Sequence, residues 1–187
     1  MEEDIRKLRP QVDVLVVSMH CGVHHVPAVV AMYQKEAAYA AIDAGADLIL
    51  QHHAHILKGI EIYKGKTIFY GLGVFADEPG SNPPSHPRGG SAMYRLLDRP
   101  ISIKEEFYRI KPVPGYEKHH HHPDALKTMI AKAYIQDKRI QKVTYIPAYI
   151  NPNVEPEVVK RGNPRAQEVF EYVTQISESE DLKVRFS

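Results

Sequence analysis

The chain has 187 residues, which suits one domain, or one with a small appendage. It carries 24 Lys and Arg against 23 Asp and Glu, and this near-neutral balance predicts neither a nucleic-acid binder nor a strongly acidic partner. Its one cysteine, Cys21, excludes an internal disulfide, which fits a reducing compartment, and no apolar run is long enough to cross a bilayer. Met1 to Arg9 is charged and holds no signal-peptide core, so the sequence as written reads as cytoplasmic. Histidine is the unusual residue: there are 11, most of them in the groups His20/His24/His25, His52/His53/His55 and His119 to His122.

Residues 1–9 read as a short helical lead-in. Val12, Val14, Leu15, Val16 and Val17 then form an apolar run that predicts a strand buried on both faces of a parallel sheet, ending at Ser18-Met19-His20-Cys21-Gly22. Residues 29–44 predict a helix, with Val29, Tyr33, Ala37, Ala41 and Ala44 on one stripe and Gly45 beyond its end. Asp47 to Leu50 is a second short strand that stops at Gln51-His52-His53-Ala54-His55. Strand, helix and strand make a βαβ unit, hence a parallel pair.

Residues 59–71 alternate around Lys64-Gly65-Lys66 and predict a hairpin. Residues 77–90, rich in Pro, Gly and Ser, predict an exposed loop holding His86 and Arg88, and 91–112 contains strand-like segments such as Phe107 to Ile110. A second hairpin is predicted from Thr128–Ile135 and Ile140–Ala148 around Asp137-Lys138-Arg139. Asn163 and Pro164 suit a helix start, with Val169, Val173 and Ile176 as its apolar stripe, and Leu182 to Phe186 reads as a returning edge strand. The whole predicts an α/β fold in a single domain.

In open α/β sheets, ligands bind beyond the carboxyl ends of the strands. Both candidate strands end in histidines, and parallel pairing sets those ends side by side. His20 and the His52/His53/His55 group are therefore expected to converge. Imidazole ligates zinc, iron and related metals, and residues i and i+2 of His53-Ala54-His55 project to one side of an extended backbone. His20, His53 and His55 are the expected metal ligands. His24 is read as exposed, with an extra ligand as the alternative. His119 to His122 is read as a solvated loop, and Cys21 as a small buried residue.

Ser18-Met19-His20-Cys21-Gly22 resembles the S-M-H-W-G motif of the bacterial capsule-synthesis (CapA, poly-γ-glutamate) family. Gln51 to Glu61 is similar to its G-H-H-P-H-V-L-Q-G-I-E segment, and Ile68 to Gly73 to its I-F-Y-S-L-G segment. Leu126 to Val143 and Ile146 to Asn151 resemble its C-terminal hairpin. That resemblance implies the C-terminal part of a calcineurin-like metallophosphoesterase: sandwiched β-sheets flanked by helices, around divalent metal ions such as Mn, Fe or Zn. It implies metal ligation by His20, His53 and His55, with His20 and His53 at the reacting centre, acting on an anionic small-molecule or polymer substrate.

The sequence departs from the family at several points. Cys21 stands for Trp, His24 for Glu, Gln51 for Gly and Val74 for Asn. Gln51 is expected to crowd the metal loop. The family's earlier aspartate and Asn-His motifs do not precede His20, and Asp13 sits at the wrong end of its strand to replace them. Two readings stay open: a metal-dependent phosphoesterase-type hydrolase in cell-surface polymer synthesis, and a truncated or non-catalytic module of that fold. Truncation would expose sheet edges and favour self-association.

Overall fold

The computed structural model describes residues 1–76, 113–119 and 121–186. The loop 77–90, with His86 and Arg88, and the strand-like segments of 91–112 lie outside the described residues. The elements run α1 (Glu2–Leu8), a 3-10 turn (Arg9–Gln11), β1 (Val16–His20), α2 (Met32–Asp43), β2 (Leu48–His52), β3 (Ile60–Tyr63) and β4 (Lys66–Phe69). After a second 3-10 turn (Pro123–Leu126) come β5 (Lys127–Gln136), β6 (Arg139–Ile150), β7 (Pro156–Val158) and α3 (Pro164–Ser179). One sheet has the order β1-β2-β4-β3, the other β5-β6-β7. Helices with a mixed parallel and antiparallel sheet are the α/β class that the sequence predicts. Among the described residues, no helix is long and apolar enough to cross a membrane.

The expected βαβ unit is present. β1 and β2 pair in parallel from Val16↔Leu48 to His20↔His52, with α2 between them. Side chains alternate across the first sheet. Ile49 and Ile68 face α1 and α2, where Ile5, Ala38, Ala41 and Ile42 pack on them. Leu48, Ile60 and Phe69 face the other way, onto Met129 of β5 and Val169, Val173 and Ile176 of α3. Burying each of these α3 side chains contributes roughly 1.5–3 kcal/mol. Asn163 starts that helix as its residue type predicts, its side chain accepting from Arg165 N at 2.9 Å. Both predicted hairpins form on two-residue turns with positive φ at each position: Lys64 (49°) and Gly65 (76°), then Asp137 (50°) and Lys138 (63°).

Three expectations need correction. β1 is not buried on both faces: among the described residues it is the outermost strand of its sheet, Val16 is 46% exposed, and Val17 and Met19 turn toward the α1/α2 core. It also starts and ends later than the apolar run, carrying the strand through His20. Leu182 to Phe186 is not a strand. Asp181 turns the chain off α3 at φ 56°, and the segment then runs beside β3 with Ile62 N donating to Lys183 O at 2.8 Å. β7 is a further strand, pairing antiparallel with β6, that the sequence did not suggest.

Asp47 locks the entry to the parallel pair. Its carboxylate accepts from Arg9 and Lys66, each at 2.6 Å, and from Leu15 N at 3.0 Å, while its own N–H donates to Leu15 O at 2.7 Å. Burial pushes the Asp47 carboxyl up, but the bonds from Lys66, Leu15 and Arg9 outweigh it and hold it below the usual carboxylate range. Glu61 is a buried carboxylate in β3, satisfied by the hydroxyls of Tyr70 at 2.6 Å and Tyr39 at 2.9 Å. Burial and Glu61 push the Tyr70 hydroxyl far above its ordinary value, so it stays a donor.

Gly59 lies where α3 ends against the sheet. A Cβ there would meet Leu182 Cδ1 at 2.4 Å and the Ser177 backbone at 3.1 Å, next to the Ser177 hydroxyl that accepts from Ile60 N. Gly59→Ala is therefore expected to lower stability by about 1–3 kcal/mol, read as a lower urea midpoint. A midpoint equal to that of the parent would show that this contact relaxes without cost.

Lys58 is fully buried, with its ammonium donating to Val26 O. Burial pushes its pKa down to about 8, against a smaller upward pull from Glu180. An unfolded lysine keeps its proton to near 10.5. Between these values the unfolded chain binds more protons, so this group makes stability rise with pH. Urea midpoints measured at about pH 8 and about pH 10 should show a gain in the parent that is absent in Lys58→Met. Equal pH responses would place the Lys58 pKa at its ordinary value.

Candidate metal centre

β1 and β2 run parallel and stop level with each other, so their last residues, His20 and His52, are register partners. The next residue, His53, turns its ring to His20: Nδ1 of His53 lies 3.0 Å from Nε2 of His20, with ring centroids 4.9 Å apart. His52 points elsewhere. Its Nε2 is 3.0 Å from the Ser18 hydroxyl, and burial, then the neighbouring His20, lowers its pKa.

The loop after β2 then changes direction sharply. His53 has φ 85° and His55 φ 55°, and in the loop after β1 His25 has φ 56°. A residue with a Cβ costs roughly 1–2 kcal/mol in this region, and such strain collects at functional sites. The surroundings hold it in place. His25 N donates to Ala54 O at 2.9 Å, joining the two loops, and Ala54 and Ile56 pack with Ala125 beneath them.

Gln51 does not crowd the metal loop as expected. It is buried on the α2 side, where Gln34 Nε2 donates to its Oε1 at 2.9 Å and its own Nε2 donates to Gln34 O at 3.0 Å. Gln34 also accepts from Ala31 N at 3.0 Å, and a Cβ on Gly22 would meet its Nε2 at 3.1 Å. This pair fixes the start of α2 against the end of β2.

Of the three expected ligands, His20 and His53 come together, while His55 sits further round, its ring 6.4 Å from that of His53. The close neighbours of His55 are His24, with rings 4.6 Å apart, and His121, at 5.0 Å. His24 bridges the two groups, since its ring also stacks on His53 at 5.4 Å and lies 3.9 Å from His25. Among the described residues, His24, His25 and His55 form a three-histidine group whose ligand nitrogens all lie within 4.8 Å of one another.

Two expectations fail here. His24 is half-buried among imidazoles, not exposed. His119 and His121 are 5% and 6% exposed, so these two histidines of the run are buried and not solvated. The segment before β5 is anchored by buried Ala125 and Leu126, which draws His121 onto the β2 loop. His25 and His121 are not among the ligands expected from the sequence, where the run holding His121 is read as a solvated loop in preference to a metal site. The signal was in the sequence, as three histidine groups, but their meeting depends on a long-range return of the chain.

His122 faces away from the cluster. Its Nδ1 accepts from Asp124 N at 3.1 Å, and burial lowers its pKa against the pull of Asp124. Asp124 in turn accepts from Lys127 at 3.0 Å and Tyr172 at 3.2 Å. Burial also pushes the Cys21 thiol up, which keeps it protonated and a poor ligand near neutral pH. The donor set at these strand ends is thus imidazole, which suits zinc and its neighbours in the first transition row better than magnesium or calcium.

The family model described as bacterial capsule synthesis protein PGA_cap matches residues 1–79. The PGA biosynthesis protein CapA of Bacillus subtilis (strain 168) is 51% identical over 47 residues, 25% of this chain and 12% of the relative. The capsule biosynthesis protein CapA of Bacillus anthracis is 40% identical over 70 residues, 36% of this chain and 16% of the relative. An uncharacterized protein of Sinorhizobium fredii (strain NBRC 101917 / NGR234), y4sH, is 26% identical over 160 residues, 78% of this chain and 33% of the relative. These matches cover between 12% and 33% of the relatives' length. The matched segment holds β1, α2 and β2 with both histidine loops, and over residues 1–79 the chain is similar to the bacterial capsule synthesis protein family PGA_cap.

Proposed function

We propose that the chain serves bacterial capsule or poly-γ-glutamate synthesis, through a metal-dependent centre of the phosphoesterase type acting on an anionic small molecule or polymer. The observation that carries this reading is the meeting of His20 and His53, 3.0 Å apart at the ends of adjacent parallel strands, inside the segment that matches the capsule-synthesis family. The names of the Bacillus relatives support the biological setting, and the imidazole donors support a divalent transition ion.

His20, His53 and His55 would hold that ion. When bound, it would polarise a phosphoryl oxygen and lower the pKa of a ligated water. The protein's own part is positional. The β1–β2 register sets His20 beside the β2 loop, where His53 meets it at 3.0 Å. His20 is exposed, on the outermost strand of its sheet among the described residues.

A second reading is a non-catalytic module of the same fold, which binds polymer or partner without turnover. One observation favours it: the metal-capable group among the described residues is all imidazole, without a carboxylate to bridge two ions.

The test is hydrolysis of bis(p-nitrophenyl) phosphate by the full chain with Mn, Fe or Zn added in turn. The expected result is turnover that a chelator abolishes and that His20→Ala and His53→Ala each reduce by at least ~100-fold, the upper range for disturbing a metal ligand's support. Metal binding without turnover in any of the three would favour the binding module.

A further inference from the structure

We propose that His24, His25, His55 and His121 form a separate all-imidazole site for a zinc-class divalent cation, one that ties the chain before β5 to the loops after β1 and β2. The site goes beyond the hydrolase reading. It needs neither turnover nor an ion at His20 and His53, although His55 is common to both sets.

The geometry separates the two groups. His55 Nδ1 and His121 Nδ1 are 3.4 Å apart, and His121 Nδ1 and His25 Nε2 are 3.5 Å apart. Ordinary hydrogen bonds from nitrogen cluster near 2.9–3.0 Å, so both contacts are long for that role. Tetrahedral zinc holds its nitrogens at about 2.0–2.1 Å, which puts any two of them roughly 3.3–3.4 Å apart. The observed spacings match an edge of that tetrahedron. The His20–His53 contact, at 3.0 Å, matches a hydrogen bond instead.

The ligands come from three separate stretches of chain. His24 and His25 lie between β1 and α2, His55 follows β2, and His121 precedes the turn at Pro123–Leu126. His121 is 66 residues from His55 and 96 from His25. The nitrogens of His24, His25 and His55 fall within 4.8 Å of one another, and His121 Nδ1 reaches two of these three residues, His55 at 3.4 Å and His25 at 3.5 Å.

Burial adds to the argument. His25 and His121 are 2% and 6% exposed. A neutral imidazole carries a nitrogen lone pair, and a divalent cation accepts several at one point. Two of the four ligands, His25 and His55, also take left-handed backbone, at φ 56° and 55°. Such conformations persist where the surroundings fix them, and His25 N is fixed on Ala54 O at 2.9 Å. Pure nitrogen ligation selects zinc, nickel, cobalt or copper over magnesium and calcium. Because the ligands are distant in sequence, binding would couple to ordering of the chain before β5.

The experiment is titration of the chelator-treated full chain with zinc, followed by cobalt as a visible-absorption probe of tetrahedral ligation. The expected result is about one equivalent of zinc, with a rise in melting temperature. His25→Gln and His121→Gln should each weaken zinc by about 100-fold or more and abolish both the cobalt bands and the thermal shift. His122→Ala should leave zinc affinity within about 3-fold of the parent, because its Nδ1 is engaged by Asp124 N instead.

Zinc affinity unchanged in both His25→Gln and His121→Gln would overturn the proposal. If the buried variants lose their far-UV signal, His24→Gln decides, since its ring is only half-buried: parent-like zinc affinity there overturns the site, and loss supports it. Zinc lost in His20→Ala but kept in His121→Gln would overturn this site and leave the hydrolase reading standing. The expected zinc pattern without phosphodiester turnover would do the reverse.

Discussion

Everything at the candidate centre depends on the parallel pairing of β1 with β2. A parallel pair needs a crossover, and α2 supplies it. The pair is fixed at both ends by polar groups. Asp47 ties the entry, holding Leu15 N, Arg9 and Lys66 at once. Gln34 and Gln51 tie the exit by two hydrogen bonds in a buried site. A slip of one residue would turn Ile49 out of the α2 core and carry His20 away from His53. The histidine geometry is therefore a consequence of strand register, and strand register is a consequence of these two locks.

The second sheet and α3 act on the same centre from the other side. Val169, Val173 and Ile176 pack across Leu48, Ile60 and Phe69, which holds β2 between two apolar layers. Gly59 permits this close approach, since any side chain would collide with Leu182 and the Ser177 backbone. The neighbouring Lys58 crosses the other way, to the Val26 carbonyl in the loop after β1. The residues directly after the β2 histidine loop thus brace that loop against both α3 and the β1 loop. This gives Lys58 and Gly59 a physical reason to follow His53-Ala54-His55 so closely in sequence.

Much of this was legible in the sequence because it depends on local chemistry. Lys64-Gly65 and Asp137-Lys138 could be read as hairpin turns, and Asn163-Pro164 as a helix start, from residue types alone. The βαβ unit followed from apolar periodicity, and the convergence of His20 with the β2 histidines followed from its topology. What failed depended on long-range placement. An apolar run such as Val12 to Val17 looks the same in a central strand and an edge strand, so the exposure of Val16 was hidden. Leu182 to Phe186 has strand-like composition but makes a single backbone bond to β3. His119 and His121 looked like a solvated run because only the packing of Ala125 and Leu126 draws them inward.

The same distinction bears on what the site does. His24, at a position where the motif that this loop resembles often has Glu, offers an imidazole in place of a hard oxygen donor. It does so beside His25 and His55, within reach of His121. A carboxylate there would favour harder ions and could bridge two of them, whereas an imidazole favours one borderline ion held by nitrogen alone. His121 acts in the same direction, bringing a further imidazole to His55 and His25. The strand register therefore sets where these histidines meet, and the loop residues set which donor atoms they offer.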